Sequence, residues 1–222
     1  MAKSDRTGRR KTRDQRDVRR IPELGYYYIV TDTEATERCY FNGFRNSLPN
    51  DMKSKLVIKV VQTKTKNLIE KCREVVAYAP HYGVPWIVFD RDQVKDFDKI
   101  IQQAEREGIN VAWSNPCFEI WLFGYFGNIP AIYNSWDCCS RFADIYKEKT
   151  GQNYSKADEK LYERLSRFGN EEDALKQAKL KYNKCRREGK EQPSDMCPCT
   201  KVQELVGEIK GKVYRNNEDT AK

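Results

Sequence analysis

The sequence predicts an α/β fold, a mostly parallel Rossmann-like sheet with flanking helices and a C-terminal helical region. Three observations carry this. Short apolar or β-branched runs alternate with helical stripes from residue 25 to about 126, the pattern of successive right-handed βαβ crossovers. One run, Trp86-Ile87-Val88-Phe89, shows no polar alternation, as expected of a strand buried on both faces. Beyond about residue 130 the strand signals stop and only helical stripes remain.

Taken in order, residues 25–30 (Gly-Tyr-Tyr-Tyr-Ile-Val) make the first strand, which stops at Thr31-Asp32-Thr33-Glu34. The next helix carries Tyr40, Phe41 and Phe44 on its apolar side, and Pro49-Asn50-Asp51 ends that unit. Residues 55–61 are β-branched and form the second strand. Leu68, Cys72, Val75 and Val76 follow at helical spacing. Gly83 and Pro85 then break the chain before the Trp86–Phe89 strand. Val94, Phe97, Ile100, Ile101 and Ala104 mark a further helix, closed by Gly108. Residues 109–113 give the fourth strand, and Ser114-Asn115-Pro116 opens a helix to about Tyr125, with Asn115 as N-cap and Pro116 at N1.

In the last third, Leu161, Leu165 and Phe168 share one face. Asn170 before Glu171, Glu172 and Asp173 is an acidic helix start, and Ala174, Ala178, Tyr182 and Cys185 continue it. Val202, Leu205, Val206, Ile209 and Val213 make a last helix. The chain therefore divides into a basic arm (1–22), an α/β core (23–128), a helical cap packed on the core (129–215) and a short disordered tail (216–222).

Composition narrows the function. The chain has 222 residues, 39% hydrophobic and 33% charged, enough for a sizeable core. It holds no apolar run of membrane-spanning length and no apolar signal segment, so a cytoplasmic location is expected. Its eight cysteines are then expected as reduced thiols. Cys138-Cys139 and Cys197-Pro198-Cys199 lack the usual zinc spacing. A single histidine, His81, leaves no histidine-based triad, and the chain has neither GxxxxGK[ST] nor GxGxxG. Most of the net charge of +8 sits in the first twenty residues, where nine Lys or Arg face three Asp. That composition predicts a disordered arm able to neutralise phosphates, with Arg9, Arg10, Lys11 and Arg13 as its densest part.

Three acidic clusters fall at strand ends or at the helix starts after them: Asp32/Glu34/Glu37, Asp90/Asp92, and Glu119. In open α/β sheets the functional crevice lies beyond the carboxyl ends of the strands. Hard oxygen donors there suit Mg²⁺ or Mn²⁺. Some have structural alternatives: Thr31-x-x-Glu34 fits a capping box, and one of Asp90 and Asp92 could cap the next helix. Glu119 between Phe118 and Ile120-Trp121-Leu122 is expected to be half buried with a specific partner.

Residues 29–37 (Ile-Val-Thr-Asp-Thr-Glu-Ala-Thr-Glu), 88–92 (Val-Phe-Asp-Arg-Asp) and 114–122 (Ser-Asn-Pro-Cys-Phe-Glu-Ile-Trp-Leu) together resemble the RloB family, over about residues 9–210. Pro198-Cys199-Thr200-Lys201-Val202 belongs to the same resemblance. It implies a Toprim-like fold with Mg²⁺ held after strand one and by the Asp-x-Asp after strand three. It also implies a place in bacterial antiviral (abortive-infection) defence and a separate ABC/AAA-type ATPase partner. Where the family pattern after strand one is approximately C-E-G-E-x-T-E, Thr31-Asp32-Thr33 stands in place of C-E-G, while Glu34 and Glu37 match. The expected function is a Mg²⁺-dependent nuclease acting on DNA or RNA, with tRNA among the candidate substrates. Asp32, Glu34, Asp90 and Asp92 would be its metal ligands, and Glu37 or Glu119 would handle the attacking water. The alternatives are a haloacid-dehalogenase-like phosphatase or phosphotransferase using Asp90, from the partial Asp90-Arg91-Asp92-Gln93-Val94 match, and a non-catalytic nucleic-acid-binding module.

Overall fold

The computed structural model describes residues 24–32, 35–77, 83–92 and 94–220. The basic arm, Glu34, His81 and Gln93 lie outside them. The described residues form an α/β structure around one sheet of order β2-β1-β3-β4-β5. The strands are β1 (Gly25–Thr31), β2 (Leu56–Gln62), β3 (Gly83–Asp90), β4 (Asn110–Asn115) and β5 (Cys199–Thr200). β1 to β4 are parallel and β5 is antiparallel to β4. β1 and β3 are sheet neighbours at the point where the strand order reverses, the kind of position where open α/β sheets place their ligands.

Both faces of the sheet are covered, and the alternation of side chains explains why the strands look uniformly apolar. Tyr27, Ile29, Trp86, Val88 and Ala112 point into one core with Tyr40, Phe41, Trp121, Phe142, Leu165 and Val206. Val30, Ile87, Phe89, Val111 and Trp113 point into the other, with Leu68, Cys72, Phe97, Ile101 and Cys185. Successive strand residues face opposite sides, so a strand covered on both sides shows no polar alternation in sequence.

The helices are α1 (Ala35–Ser47), α2 (Asn50–Lys55), α3 (Leu68–Ala77), α4 (Phe97–Arg106), α5 (Glu119–Phe123), α6 (Ser135–Thr150), α7 (Leu161–Phe168), α8 (Glu171–Arg187) and α9 (Val202–Thr220). Asn170 caps α8, its side-chain oxygen accepting from the Glu172 and Asp173 amides, as its sequence predicts. In α7, Leu161 and Leu165 are fully buried, but Phe168 is exposed at the helix end beneath the Arg167 guanidinium. The Pro49-Asn50-Asp51 turn is instead the start of α2.

The main departure concerns residues 114–119. Asn115 is not an N-cap: Ser114 and Asn115 extend β4 and pair with Thr200 and Cys199. The Asn115 amide donates to the carbonyls of Pro193 and Ser194. The backbone pairing with β5 wins over the local capping preference, and the helix starts only at Glu119, placing that carboxylate in its first turn. Thr31 is the last residue of β1, and among the described residues its buried hydroxyl has no hydrogen-bond partner; Glu34, the other half of the capping box read in the sequence, lies outside them.

The helical region shares the first core with the sheet. The contact is close where Gly124 meets α8: a Cβ on Gly124 would lie 2.8 Å from the Ala174 Cα. Gly124→Ala is therefore expected to destabilise the protein by about 1–3 kcal/mol, measured by urea unfolding. An unchanged midpoint would show that this seam yields.

Candidate metal centre

The carboxyl ends of β1, β3 and β4 bring the acidic residues together. Asp32 follows β1 directly, and its amide donates to the Val88 carbonyl of β3 at 3.1 Å. Thr65, at the carboxyl end of β2, donates its hydroxyl to the Asp32 carboxylate. Asp90 is the last residue of β3 and is 9% exposed. Glu37 sits in the first turn of α1 and Glu119 in the first turn of α5, each only 1% exposed. Asp92 is exposed, held by its amide on the Pro116 carbonyl at 2.9 Å. The sheet thus places Asp32, Glu37, Asp90 and Glu119 on one edge, with Asp92 at its rim.

These carboxylates differ sharply in how they are satisfied. Glu119 accepts from the Tyr154 hydroxyl at 2.7 Å and lies 3.8 Å from the Lys156 ammonium. Glu37 has no such support, and neither of its buried carboxylate oxygens makes a hydrogen bond of normal geometry. Burial first, then the charges of Asp90, Glu119 and Asp32, push its carboxyl well above the usual range, with its own backbone amide opposing only in part. Asp90 is raised to about 8 by burial, Glu119, Asp92 and Asp32, against the pull of Lys156. Buried like charges that raise each other in this way occur at sites that await a cation or proton.

The donors are hard oxygens, and an unpartnered buried carboxylate is the feature a cation would satisfy. Among the described residues the carboxylate oxygens do not close into a compact cage. The tightest set of potential ligands is Cys117, Glu119 and Cys139, within 4.8 Å of one another. An open arrangement still suits Mg²⁺, which keeps several waters and is held by one or two carboxylates. The thiols are a different matter. A hydrogen bond with Cys138 drives the Cys117 thiol up, one with Cys117 drives Cys139 up, and burial adds in both cases. Without a metal both are held as neutral thiols, whose protons zinc would have to displace. The two cysteine pairs read in the sequence do not converge: Cys199 neighbours Cys185 instead.

Of the residues expected at the site, Asp32, Glu37, Asp90 and Glu119 come together and Asp92 reaches the rim. Glu34 and the arm residues Arg9, Arg10, Lys11 and Arg13 lie outside the described residues. Sequence reasoning missed Tyr154, Lys156 and Thr65, whose separations from their carboxylate partners span about thirty-five residues and carry no local spacing signal. Tyr154→Phe is expected to cost about 1.5–3 kcal/mol, because it leaves a buried charge without its donor. Tyr214→Phe at an exposed position should cost nothing measurable. Equal unfolding midpoints for the two variants would remove Tyr154 from the account.

A cleft of about 880 Å³ lies elsewhere, between α1, α7, α8 and α9. Its central acid, Glu171, is already satisfied by the Tyr125 and Tyr162 hydroxyls and Lys210. It includes none of the carboxylates above.

The family model described as RloB-like protein matches residues 27–209, covering both the sheet and the helical region. The chain belongs to the RloB-like family. No curated protein and no solved structure matches it. Among the described residues no helix is long and apolar enough to cross a membrane.

Proposed function

We propose that this RloB-like chain is a Mg²⁺- or Mn²⁺-dependent nuclease of the Toprim type, acting in bacterial antiviral defence with a separate ATPase. The observation that carries the reading is Glu37: a carboxylate with both oxygens buried and unbonded, faced by Asp90, Asp32 and Glu119 at the β1/β3 strand ends. Burying a carboxyl whose oxygens find no partner of normal geometry costs free energy in either protonation state, which is hard to explain in a site of no function.

Asp90 and Glu37 are the groups best placed to hold the ion, with Asp32 beside them and Asp92 at the rim; Glu34 completes the set the family pattern implies. A bound divalent cation would supply charge stabilisation on the phosphate oxygens. The protein's own residues supply the rest. Glu119, fixed by Tyr154 and Lys156, is positioned to orient a water and to take its proton as the phosphorus–oxygen bond to the leaving group breaks. Lys156 also adds positive charge to an otherwise acidic edge, where a phosphodiester must approach. The basic arm (Arg9, Arg10, Lys11, Arg13) provides sequence-independent grip on the backbone. These 222 residues hold no phosphate-binding loop, so the ATPase of this reading is a separate protein.

The test is to incubate the protein with Mg²⁺ or Mn²⁺ and DNA, RNA or tRNA, beside an Asp90→Ala/Asp92→Ala double variant. Metal-dependent strand cleavage lost in the variant is expected. Release of phosphate from a small phosphoester without strand cleavage would move the function to phosphate transfer through Asp90. Binding that survives the substitutions, with no turnover in either metal, would leave a non-catalytic nucleic-acid-binding protein.

A further inference from the structure

Of the four tryptophans, Trp86, Trp113 and Trp121 are buried, at 4%, 2% and 0% exposure, while Trp136 is 81% exposed. Tyr133, three residues earlier, is 69% exposed. Exposing both large rings so fully forgoes burial that would stabilise the fold by a few kcal/mol. The two lie at the lip of the acidic edge. The Ser135 hydroxyl between them donates to the Pro116 carbonyl at 3.4 Å, and that carbonyl also holds the Asp92 amide. Cys139, one helical turn beyond Trp136 on α6, has its sulfur within 4.8 Å of a Glu119 carboxylate oxygen. On the other side, the Ile132 carbonyl accepts from Cys197, and Lys190, ion-paired with Glu188 at 3.1 Å, lies within electrostatic reach of Tyr133. Arg91, beside Asp92, reaches across to the Ser194 carbonyl of the same loop.

The surface therefore combines two exposed rings with Arg91 and Lys190 at the mouth of a carboxylate site. We infer that Trp136 and Tyr133 form a stacking platform for unpaired bases, which selects single-stranded nucleic acid, or single-stranded segments, at the acidic edge. This rests on the nuclease reading for its location but not for its test. Stacking on exposed rings, with cations near the backbone, is how single strands are held without sequence preference. A duplex keeps its bases stacked on one another and offers these rings little. A protein partner fits less well: the large hydrophobics exposed on this lip are two aromatics with no exposed Leu, Ile or Met beside them among the described residues, whereas interface cores pair aromatics with aliphatic neighbours.

Trp136 gives its own signal, because the other three tryptophans are shielded from solvent. Full-length protein in Ca²⁺ or EDTA, titrated with an unstructured oligothymidylate, is expected to lose emission and acrylamide accessibility from the exposed tryptophan. Trp136→Phe should lose that exposed-tryptophan signal. By anisotropy, Trp136→Ala should bind the single strand about 5- to 10-fold more weakly, and a blunt duplex less than 2-fold more weakly. Tyr133→Leu tests the second ring in the same assay. An unchanged Trp136 signal on addition of oligothymidylate would overturn the platform, even if strand cleavage is found. A signal with no cleavage in any metal would leave the platform standing and remove the nuclease. Equal losses on duplex and single strand would reduce the rings to general contacts. Concentration-dependent quenching without nucleic acid would assign the surface to a second copy of the chain, also overturning the inference.

Discussion

Glu37→Met is expected to raise the stability of the metal-free protein while abolishing metal-dependent cleavage. In the folded chain Glu37 is an almost fully buried acid whose two oxygens make no hydrogen bond of normal geometry among the described residues, placed against the Asp90, Asp32 and Glu119 carboxylates. Methionine has a similar length, removes no hydrogen bond, and ends the repulsion. Replacing buried charge with apolar side chains of similar volume is commonly neutral or stabilising by about 1–4 kcal/mol. For a chain of this size that is roughly 2–10 °C in melting temperature, measurable by thermal unfolding in EDTA. The same substitution removes an acid at the reacting centre, so hydrolysis should fall by about 10²-fold or more, and added Mg²⁺ should no longer shift the melting temperature. A purely structural Glu37 would give the reverse: lower stability with methionine, and an unchanged response to metal.

The strands and the carboxylates they carry were legible in sequence for a physical reason. In β3, Trp86 to Phe89 alternate between two cores, so neither face leaves polar residues, and the abrupt change to Asp90 marks the strand's end. Glu119 stood out as an acid inside an apolar run; the specific partner expected there is Tyr154, while the carboxylate is almost fully rather than half buried. What could not be read depends on contacts distant in the chain. β5 is two residues long and pairs antiparallel with β4 across more than eighty residues. Without it, Ser114-Asn115-Pro116 resembles a helix start, and with it those residues belong to the sheet. Tyr154 and Lys156 reach Glu119 from the connection between α6 and α7, where no periodicity points to them. The same holds for Trp136: its position at a helix start gives no hint that the ring is exposed.

The metal-free protein should be most stable in mildly acidic solution and become less stable as pH rises toward 8, the opposite of an ordinary ion-paired carboxylate. Asp90 has its folded-state pKa raised from 3.8 to about 8, so between those values the folded chain holds a proton that the unfolded chain has released. Stability then falls with rising pH across that window and levels off above it. The full span amounts to on the order of 5 kcal/mol, and Glu37, shifted in the same direction, adds to it. Glu107 and Glu188, lowered by Arg73 and Lys190, act in the other sense, but both are lowered only within the ordinary acidic range, so measurements from pH 5 to 8.5 separate the two effects. A divalent ion must displace those protons to bind, and its apparent affinity should climb over the same interval. Urea unfolding at pH 5, 6.5 and 8.5 is therefore expected to show a falling stability without metal and a flatter or reversed trend with Mg²⁺. Asp90→Asn should flatten the metal-free trend. A slope that survives this substitution would place the raised proton on Glu37 alone, and a flat trend in the unsubstituted protein would mean that the edge is more hydrated than its burial implies.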